Sequence, residues 1–346
     1  MNIYILNTLE IGISSIDILK KHLDIRGVIG LSEREVSDKI SGYRYLKQYC
    51  YDNSLQFTEV QSYSLSNKDD KDKILNLNID ILIVAGWQRL VPAWLIEHCQ
   101  CIIGSHGSVY GITGGRGRSP QNWALLLGKN EFYISIFKID AGIDEGPIID
   151  NRRFVLSEFD DIKTSYYKVS WLTSQMIVDY VSNSSSLSEI GVKQGGNARY
   201  LPQRLPEDGE IDWSRTSKEI YDFIRALTQP YPGAFSFLGK NKIAIWRGRP
   251  FELEDHSHTY KCGEIVKVYS NRDFLIRTGD SFLCIDDYST SSEGSDQCLK
   301  EGDVLSSCSF KNQMVTIIDR HYKKYPQLTL SDDILSLVKD EHNENG

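Results

Sequence analysis

The segment at residues 79–85, IDILIVA, is the feature that most narrows what this chain can fold into. It is rich in β-branched residues and shows no polar–apolar alternation, which is typical of a parallel strand buried on both faces. Strand-like and helix-like patterns alternate before it, with strands predicted at 2–6, 26–30 and 56–60 and helices at 14–23 and 43–53. Strands separated by helices predict a doubly wound α/β sheet with right-handed crossovers.

The pattern changes in the last third of the chain. From residue 234 onward, short alternating strands are separated by turn signals about ten residues apart, which predicts a small β-barrel. The Ser-rich stretch SNSSSLS at 182–188 is the clearest compositional break. We therefore predict an α/β domain at 1–185, a connecting segment with a helix at 186–233, a β-barrel domain at 234–330 and a polar tail at 331–346.

Charge and cysteine content restrict the partners and the compartment. The chain has 39 Lys and Arg against 47 Asp and Glu, a balance that gives no general attraction to nucleic acid or to an anionic membrane. No apolar run reaches the length of about 18 residues that a membrane span needs. The N-terminus has no basic segment before its apolar stretch, so it predicts a strand and not a signal peptide. The seven cysteines include no C-x-x-C pair, which favours free thiols in the cytoplasm.

Candidate catalytic residues follow the predicted strands. His106 stands between Gly104 and Gly107 in a segment rich in Gly, Ser and Thr, which we expect to be a loop. A third predicted strand, at 133–139, is followed by Asp140 and Asp144, so the histidine and two carboxylates are expected at one edge of a parallel sheet. A histidine beside a carboxylate can act as a general base with an orienting partner. The alternatives are a turn histidine and an Asx turn.

Other kinds of site have weaker support. The glycine-rich segment has neither the G-x-G-x-x-G nor the P-loop spacing, so dinucleotide and phosphate-loop sites are poorly supported. Only one histidine lies near the predicted cleft, and no metal is expected there.

Together the motifs resemble the formyltransferase family that uses 10-formyltetrahydrofolate, and most closely its amino-sugar branch. The resemblance covers about residues 1–310 and is carried by HGS at 106–108, RGRSPQNWA at 116–124, KIDAGIDEGPII at 138–149, LPEDGEIDW at 205–213, IRA at 224–226 and PYPGAF at 230–235. It implies a Rossmann-like N-terminal domain followed by an OB-like C-terminal β-barrel. It also implies that a sugar amine attacks the formyl carbon, that His106 takes the proton of the amine, and that Asp144 stabilises the charged imidazole.

The resemblance assigns further residues to the two substrates. The folate cosubstrate is expected to contact Gly86, Trp87, Gln88, Leu90, Ile139, Asp140, Gly142 and Asp144. The acceptor is expected to contact Tyr43, Ser105, Gly107, Ser108, Arg116 and Arg118. One departure is visible, because the family has Asn-x-His where this chain has Gly104-Ser105-His106. The missing asparagine normally stabilises an oxyanion, and we expect protonated His106, a backbone N–H or an ordered water to replace it.

The choice of acceptor rests on charge. Residues 251–346 hold 10 Lys and Arg against 18 Asp and Glu, so this domain is expected to repel tRNA. We therefore predict a nucleotide-activated amino sugar as substrate, in surface polysaccharide (O-antigen) biosynthesis. The alternatives are a methionyl-tRNA formyltransferase and a non-catalytic protein that binds folate or a nucleotide sugar. Four aromatic residues on the predicted barrel strands favour a homodimer, namely Tyr260, Tyr269, Phe274 and Tyr288.

Overall fold

The computed structural model describes residues 1–33, 40, 42–183, 191–252, 260–290 and 299–339. Its contacts divide the chain into two compact units. The first contains Met1–Arg116, Glu131–Val155 and Thr164–Ala198, and the second contains Gly117–Asn130, Leu156–Lys163 and the described residues from Arg199 onward. The predicted boundary at 185/186 and most of the Ser-rich break lie outside the described residues. The four predicted segments therefore stay a prediction.

The predicted strands and helices are present with shifted ends, and the structure adds elements that were not predicted, such as the helix Phe310–Lys324. The strands are β1 Ile3–Leu6, β2 Ile25–Leu31, β3 Gln56–Val60, β4 Ile81–Val84, β5 Cys101–Ser108, β6 Arg116–Gly117, β7 Glu131–Lys138, β8 Ile148–Val155, β9 Tyr200–Leu201, β10 Ala234–Leu238, β11 Asn241–Phe251, β12 Ile265–Val268, β13 Phe274–Arg277 and β14 Phe282–Thr290. The helices are α1 Glu10–Leu19, α2 Lys47–Asp52, α3 Lys68–Leu75, α4 Ala93–His98, α5 Gly111–Gly114, α6 Pro120–Leu126, α7 Ile162–Asn183, α8 Ser217–Leu227, α9 Phe310–Lys324 and α10 Asp332–Ser336, and Pro206–Gly209 forms a 3-10 helix.

A seven-stranded sheet forms the centre of the first unit, in the order β3-β2-β1-β4-β5-β7-β8. The first five strands are parallel, and β7 and β8 are antiparallel to their neighbours. Both faces of β4 are covered, which explains its unbroken apolar run. Ile83 packs on one face with Ile16 of α1 and Met176 of α7, and Leu82 packs on the other face with Leu95 of α4.

The second unit contains a five-stranded antiparallel sheet in the order β10-β11-β14-β13-β12. Its helix α8 begins at a capping box, in which the Thr216 hydroxyl accepts from the Glu219 N–H and the Glu219 carboxylate accepts from the Thr216 N–H. The predicted fold class, an α/β domain with a mainly parallel sheet followed by a C-terminal β domain, is confirmed.

Four details differ from the sequence predictions. Helix α1 begins at Glu10, four residues before the predicted start at 14, and strand β8 was not predicted at all. Phe274, expected to be exposed on a barrel strand, is fully buried because its ring packs edge-on against Tyr288. In the segment predicted as a polar tail, α10 forms and Ile334 is fully buried; residues 340–346 lie outside the described part.

Candidate active site

His106 lies on strand β5 and not on a loop, so the predicted loop position was wrong. Strand β4 pairs with β5 only as far as Ile103, so the second half of β5 extends beyond its parallel neighbour. There β7 pairs with it on the other side, and His106 stands opposite Ser135. Gly107 allows this pairing, because a Cβ at that position would lie 2.5 Å from the Tyr133 carbonyl oxygen and 2.6 Å from Phe132 Cε1. Gly107 therefore serves the close packing of two strands.

The His106 ring is held between two oxygen atoms. Its Nδ1 lies 3.4 Å from Asp144 Oδ2, and its Nε2 lies 2.7 Å from the Gly115 carbonyl oxygen. A carbonyl oxygen can only accept, so Nε2 carries a proton in this arrangement. The carboxylate at Nδ1 favours the proton on that nitrogen instead, so the position of the ring proton depends on whether the contact with Gly115 is kept. The two contacts fix the orientation of the ring. The histidine side chain is 10% exposed and the aspartate 24%.

Asp144 reaches His106 through the connection between β7 and β8. We expected the strand before it to be parallel and to end at the same sheet edge as β5, and this was wrong, because β7 runs antiparallel to β5. The chain instead turns back at Gly146, where a Cβ would lie 1.6 Å from the Lys138 carbonyl oxygen. Asp144 itself has φ +51°, a left-handed conformation that Asp tolerates better than most residues. A tight turn therefore carries the carboxylate to the histidine.

A cavity of about 250 Å³ lies in the first unit beside this pair. Its lining includes all eight residues that the resemblance assigned to the cosubstrate, namely Gly86, Trp87, Gln88, Leu90, Ile139, Asp140, Gly142 and Asp144. The other lining residues are Val84, Arg89, Val91, Gly104, Ser105 and Phe137. Large apolar side chains and a few polar groups at one mouth are typical of a small-molecule site. The individual contacts stay predictions.

The side chain of Ile139 fills the space beside Gly104. A Cβ at Gly104 would lie 2.9 Å from both Cδ1 and Cγ1 of Ile139, and 3.3 Å from Cζ of Phe137. This is the position where the family has asparagine. An isoleucine therefore stands where a side chain at position 104 would have to begin.

The residues assigned to the acceptor are in different surroundings. Ser105 lines the cavity, whereas Ser108 is fully buried and its hydroxyl donates to the Gly111 carbonyl. Arg116 is buried, and its guanidinium donates to Glu145 and Gln194. Arg118 is exposed and belongs to the second unit. Their roles in acceptor binding stay predictions.

Tyr43 is half-buried beside the start of α1. Its hydroxyl donates to the Leu31 carbonyl over 3.2 Å. Burial raises the pKa of Tyr43 above its usual value, and the carboxylates Glu33 and Glu59 raise it further. The hydroxyl therefore remains a protonated donor at neutral pH. Its predicted contact with the acceptor stays a prediction.

Sequence reasoning missed two groups that complete the site. The Gly115 carbonyl contacts His106, and the side chain of Gln194 bonds to the segments that carry Gly115 and Asp144. Gln194 is fifty residues beyond Asp144, and a single glutamine in a polar stretch gives no pattern that could have identified it.

The described residues hold neither a candidate metal site nor a candidate membrane span. Within them, no group of three or more His, Cys, Asp or Glu side chains is arranged to hold a metal ion. None of the helices in this part of the chain combines the length and apolar character needed to cross a membrane.

Comparison with protein families gives two matches in chain order. Residues 34–181 match the family described as formyl transferase, and residues 205–294 match the formyl transferase C-terminal domain. The chain belongs to the formyltransferase family. The prediction of an enzyme from this family is therefore confirmed.

Solved structures share the fold at low sequence identity. HypX from Aquifex aeolicus in complex with tetrahydrofolic acid is 16% identical, with a TM-score of 0.59 over 84% of this chain, and the chain spans only 44% of HypX. Methionyl-tRNA formyltransferase from Clostridium thermocellum is 23% identical, with a TM-score of 0.54, covering 74% of this chain and 95% of that one. The N-formyltransferase from Helicobacter canadensis, in complex with folinic acid and dTDP-3-aminofucose, is 18% identical, with a TM-score of 0.55. The match covers 84% of this chain and 100% of that one.

Proposed function

We propose that this protein transfers the formyl group of 10-formyltetrahydrofolate to the amine of a nucleotide-activated amino sugar. The observation that carries the proposal is the His106–Asp144 pair, which lies 3.4 Å apart beside a cavity lined by all the residues assigned to the cosubstrate. Both partners come from the first unit, which matches the formyl transferase family.

The cavity lining fits a folate. The pterin ring is flat, with apolar faces and hydrogen-bonding edges. Val84, Trp87, Val91 and Phe137 supply apolar contacts, and Asp140, which also lines the cavity, can bond to the ring edge. The solved HypX structure contains tetrahydrofolic acid, which supports the same class of ligand for this fold.

The chemistry needs a proton carrier at the point where the substrates meet. The amine nitrogen bonds to the formyl carbon, and the bond from that carbon to N10 of the folate breaks. His106 accepts the proton that the amine loses and returns it to N10, while Asp144 stabilises the imidazolium between these steps. Because Nε2 contacts the Gly115 carbonyl, the amine takes the place of that carbonyl when it reaches the ring. The ring proton then lies on Nδ1 against Asp144, which leaves the lone pair of Nε2 to accept the proton of the amine.

The negative charge on the formyl oxygen has no side-chain donor at position 104. A hydrogen bond to such an oxygen is often worth about 3 kcal/mol. We propose that protonated His106, a backbone N–H or an ordered water supplies it here. Gly104 has no side-chain amide to do so.

Charge favours an amino sugar as acceptor, and one of the solved structures with this fold contains such a ligand. The acidic excess at residues 251–346 opposes binding of a polyanion such as tRNA. The Helicobacter canadensis relative was solved with a dTDP-linked amino sugar. We accordingly propose a role in surface polysaccharide synthesis in the cytoplasm, with a homodimer as the proposed assembly.

The deciding experiment mixes the protein with 10-formyltetrahydrofolate and a panel of nucleotide-linked amino sugars, and follows release of tetrahydrofolate. We expect turnover with one sugar and a loss of at least about 100-fold in His106→Asn. His22→Asn is the matched control, because His22 lies just after α1, away from the cavity lining. Folate binding without turnover across the panel would favour the binding-protein alternative, and turnover with methionyl-tRNA alone would replace the acceptor.

A further inference from the structure

The side chain of Gln194 is anchored next to the candidate active site. Two residues before it, Val192 exchanges two backbone hydrogen bonds with Ile148 at the start of β8, over 2.7 and 2.8 Å. A Cβ at Gly191, the residue before Val192, would lie 2.2 Å from the Ile148 carbonyl oxygen, so the segment runs close along the strand. The backbone therefore fixes where the glutamine side chain begins.

The Gln194 amide uses its full hydrogen-bonding capacity. Its Oε1 accepts from Thr113 Oγ1 over 3.1 Å and from Arg116 Nη2 over 2.8 Å. Its Nε2 donates to the carbonyl oxygens of Asp144 and Gly146, over 2.7 and 2.8 Å. A primary amide has two donor hydrogens and two acceptor lone pairs, so no site on it is left over for solvent.

These four partners flank the two groups that hold His106. Asp144 supplies the carboxylate at Nδ1, and Gly115, which lies between Thr113 and Arg116 in the chain, supplies the carbonyl at Nε2. One amide thus links the two segments that contact opposite sides of the imidazole. Arg116 adds a second link between them, since its Nη1 donates to Glu145 over 3.1 Å.

We propose that Gln194 is a positioning residue, which holds the turn carrying Asp144 and the segment carrying Gly115 at the spacing that orients the His106 ring. This positioning role rests on the proposed roles of His106 and Asp144. Gln194 does not line the cavity, so it acts through these two segments and not by contact with the cosubstrate.

Two variants test the hydrogen bonds of the amide oxygen and those of the amide nitrogen. Gln194→Leu removes all four hydrogen bonds. Gln194→Glu keeps an acceptor for Thr113 and Arg116, but it turns a carboxylate oxygen toward the carbonyls of Asp144 and Gly146, which repels them. We expect kcat to fall about 10- to 100-fold in both, with a smaller change in the KM for the folate. If only the link to Arg116 mattered, Gln194→Glu would keep near-normal activity.

Asp144→Asn provides the test of mechanism. When Gln194 acts through Asp144, adding Gln194→Leu to Asp144→Asn lowers kcat much less than adding it to the wild type. Equal losses in both backgrounds would overturn the proposal, because they would indicate a general structural role. Gln48→Leu is the matched control, since the Gln48 amide donates to Asp52 on the exposed surface of α2. Thermal unfolding of each variant identifies any that fail to fold.

A second readout needs no turnover. The imidazole ¹⁵N signals of His106, assigned with His106→Asn, report the ring's hydrogen bonds directly. We expect Gln194→Leu and Gln194→Glu to move these signals and Gln48→Leu to leave them unchanged. Unchanged His106 signals in folded Gln194 variants would overturn the positioning role. Moved signals in a protein that formylates no acceptor would overturn the proposed function and retain the positioning role.

Discussion

At the scale of single residues, Gly104 is the clearest departure of this site from the pattern of its family, and Ile139 packs beside it. A glycine at position 104 removes a side chain, and the isoleucine occupies the vacated space within 2.9 Å of where a Cβ would lie. The two residues therefore form one packing unit, and restoring the asparagine alone would create a clash. The clash is with a side chain and not with backbone, so Ile139 can be changed to relieve it.

Gly104→Asn is expected to lower the free energy of unfolding by about 1–3 kcal/mol, as overpacking of a close contact does. Ile139→Ala in the same chain should recover much of this loss, although Ile139→Ala alone is destabilising because it leaves a cavity. Denaturant unfolding of the two single variants and the double variant measures the coupling. If the losses in free energy of unfolding of the two single variants simply add in the double variant, the two positions are independent. An unchanged rate in Gly104→Asn would show that the asparagine is dispensable here.

At the scale of elements, the pairing of β5 with β7 determines the geometry of the site. The sequence predicts β4 well, because an unbroken β-branched run fits a strand with both faces covered. It does not give the direction of β7, since an apolar strand has the same pattern whether it runs parallel or antiparallel. The eight residues assigned to the cosubstrate line one cavity, and the sequence grouped them because they follow the ends of predicted strands. Gln194 follows no such strand end, and its hydrogen bonds join segments far apart in the chain.

Gly107→Ala tests that pairing. The new Cβ would meet a carbonyl oxygen of β7 at 2.5 Å, and backbone cannot move aside as a side chain can. We expect a loss of about 2 kcal/mol or more in the free energy of unfolding, together with lower activity as His106 moves away from Asp144. Gly195→Ala is the matched control, because no atom lies within 4 Å of a Cβ there. Gly195→Ala should change the free energy of unfolding by no more than about 0.5 kcal/mol. Equal stability of the two variants would contradict the close approach of β5 and β7.

At the scale of the whole molecule, charge is the property that separates the two candidate acceptors. Both chemistries need the same amine, the same formyl donor and the same proton carrier, so the candidate active site does not distinguish them. A tRNA acceptor also requires a surface that attracts phosphates along an extended polyanion. The chain carries a formal net charge of −8. Residues 251–346 alone, with 10 Lys and Arg against 18 Asp and Glu, also have a net charge of −8. A nucleotide-linked sugar has two phosphates at most and needs only a local contact.

We therefore expect no retarded band when the full-length protein is mixed with tRNA at about 0.1 M salt in an electrophoretic mobility assay. A protein that neutralises several phosphates loses affinity steeply as salt rises, so repeating the assay at lower salt tests for weak contacts of this kind. A basic tRNA-binding protein on the same gel confirms that the assay detects binding. Retardation that decreases steeply with salt would mean that a basic surface exists despite the overall charge, and tRNA would then become the first acceptor to test. If no band is retarded at either salt concentration and one nucleotide sugar is turned over, the acceptor is the amino sugar. This result would agree with the negative charge of the chain.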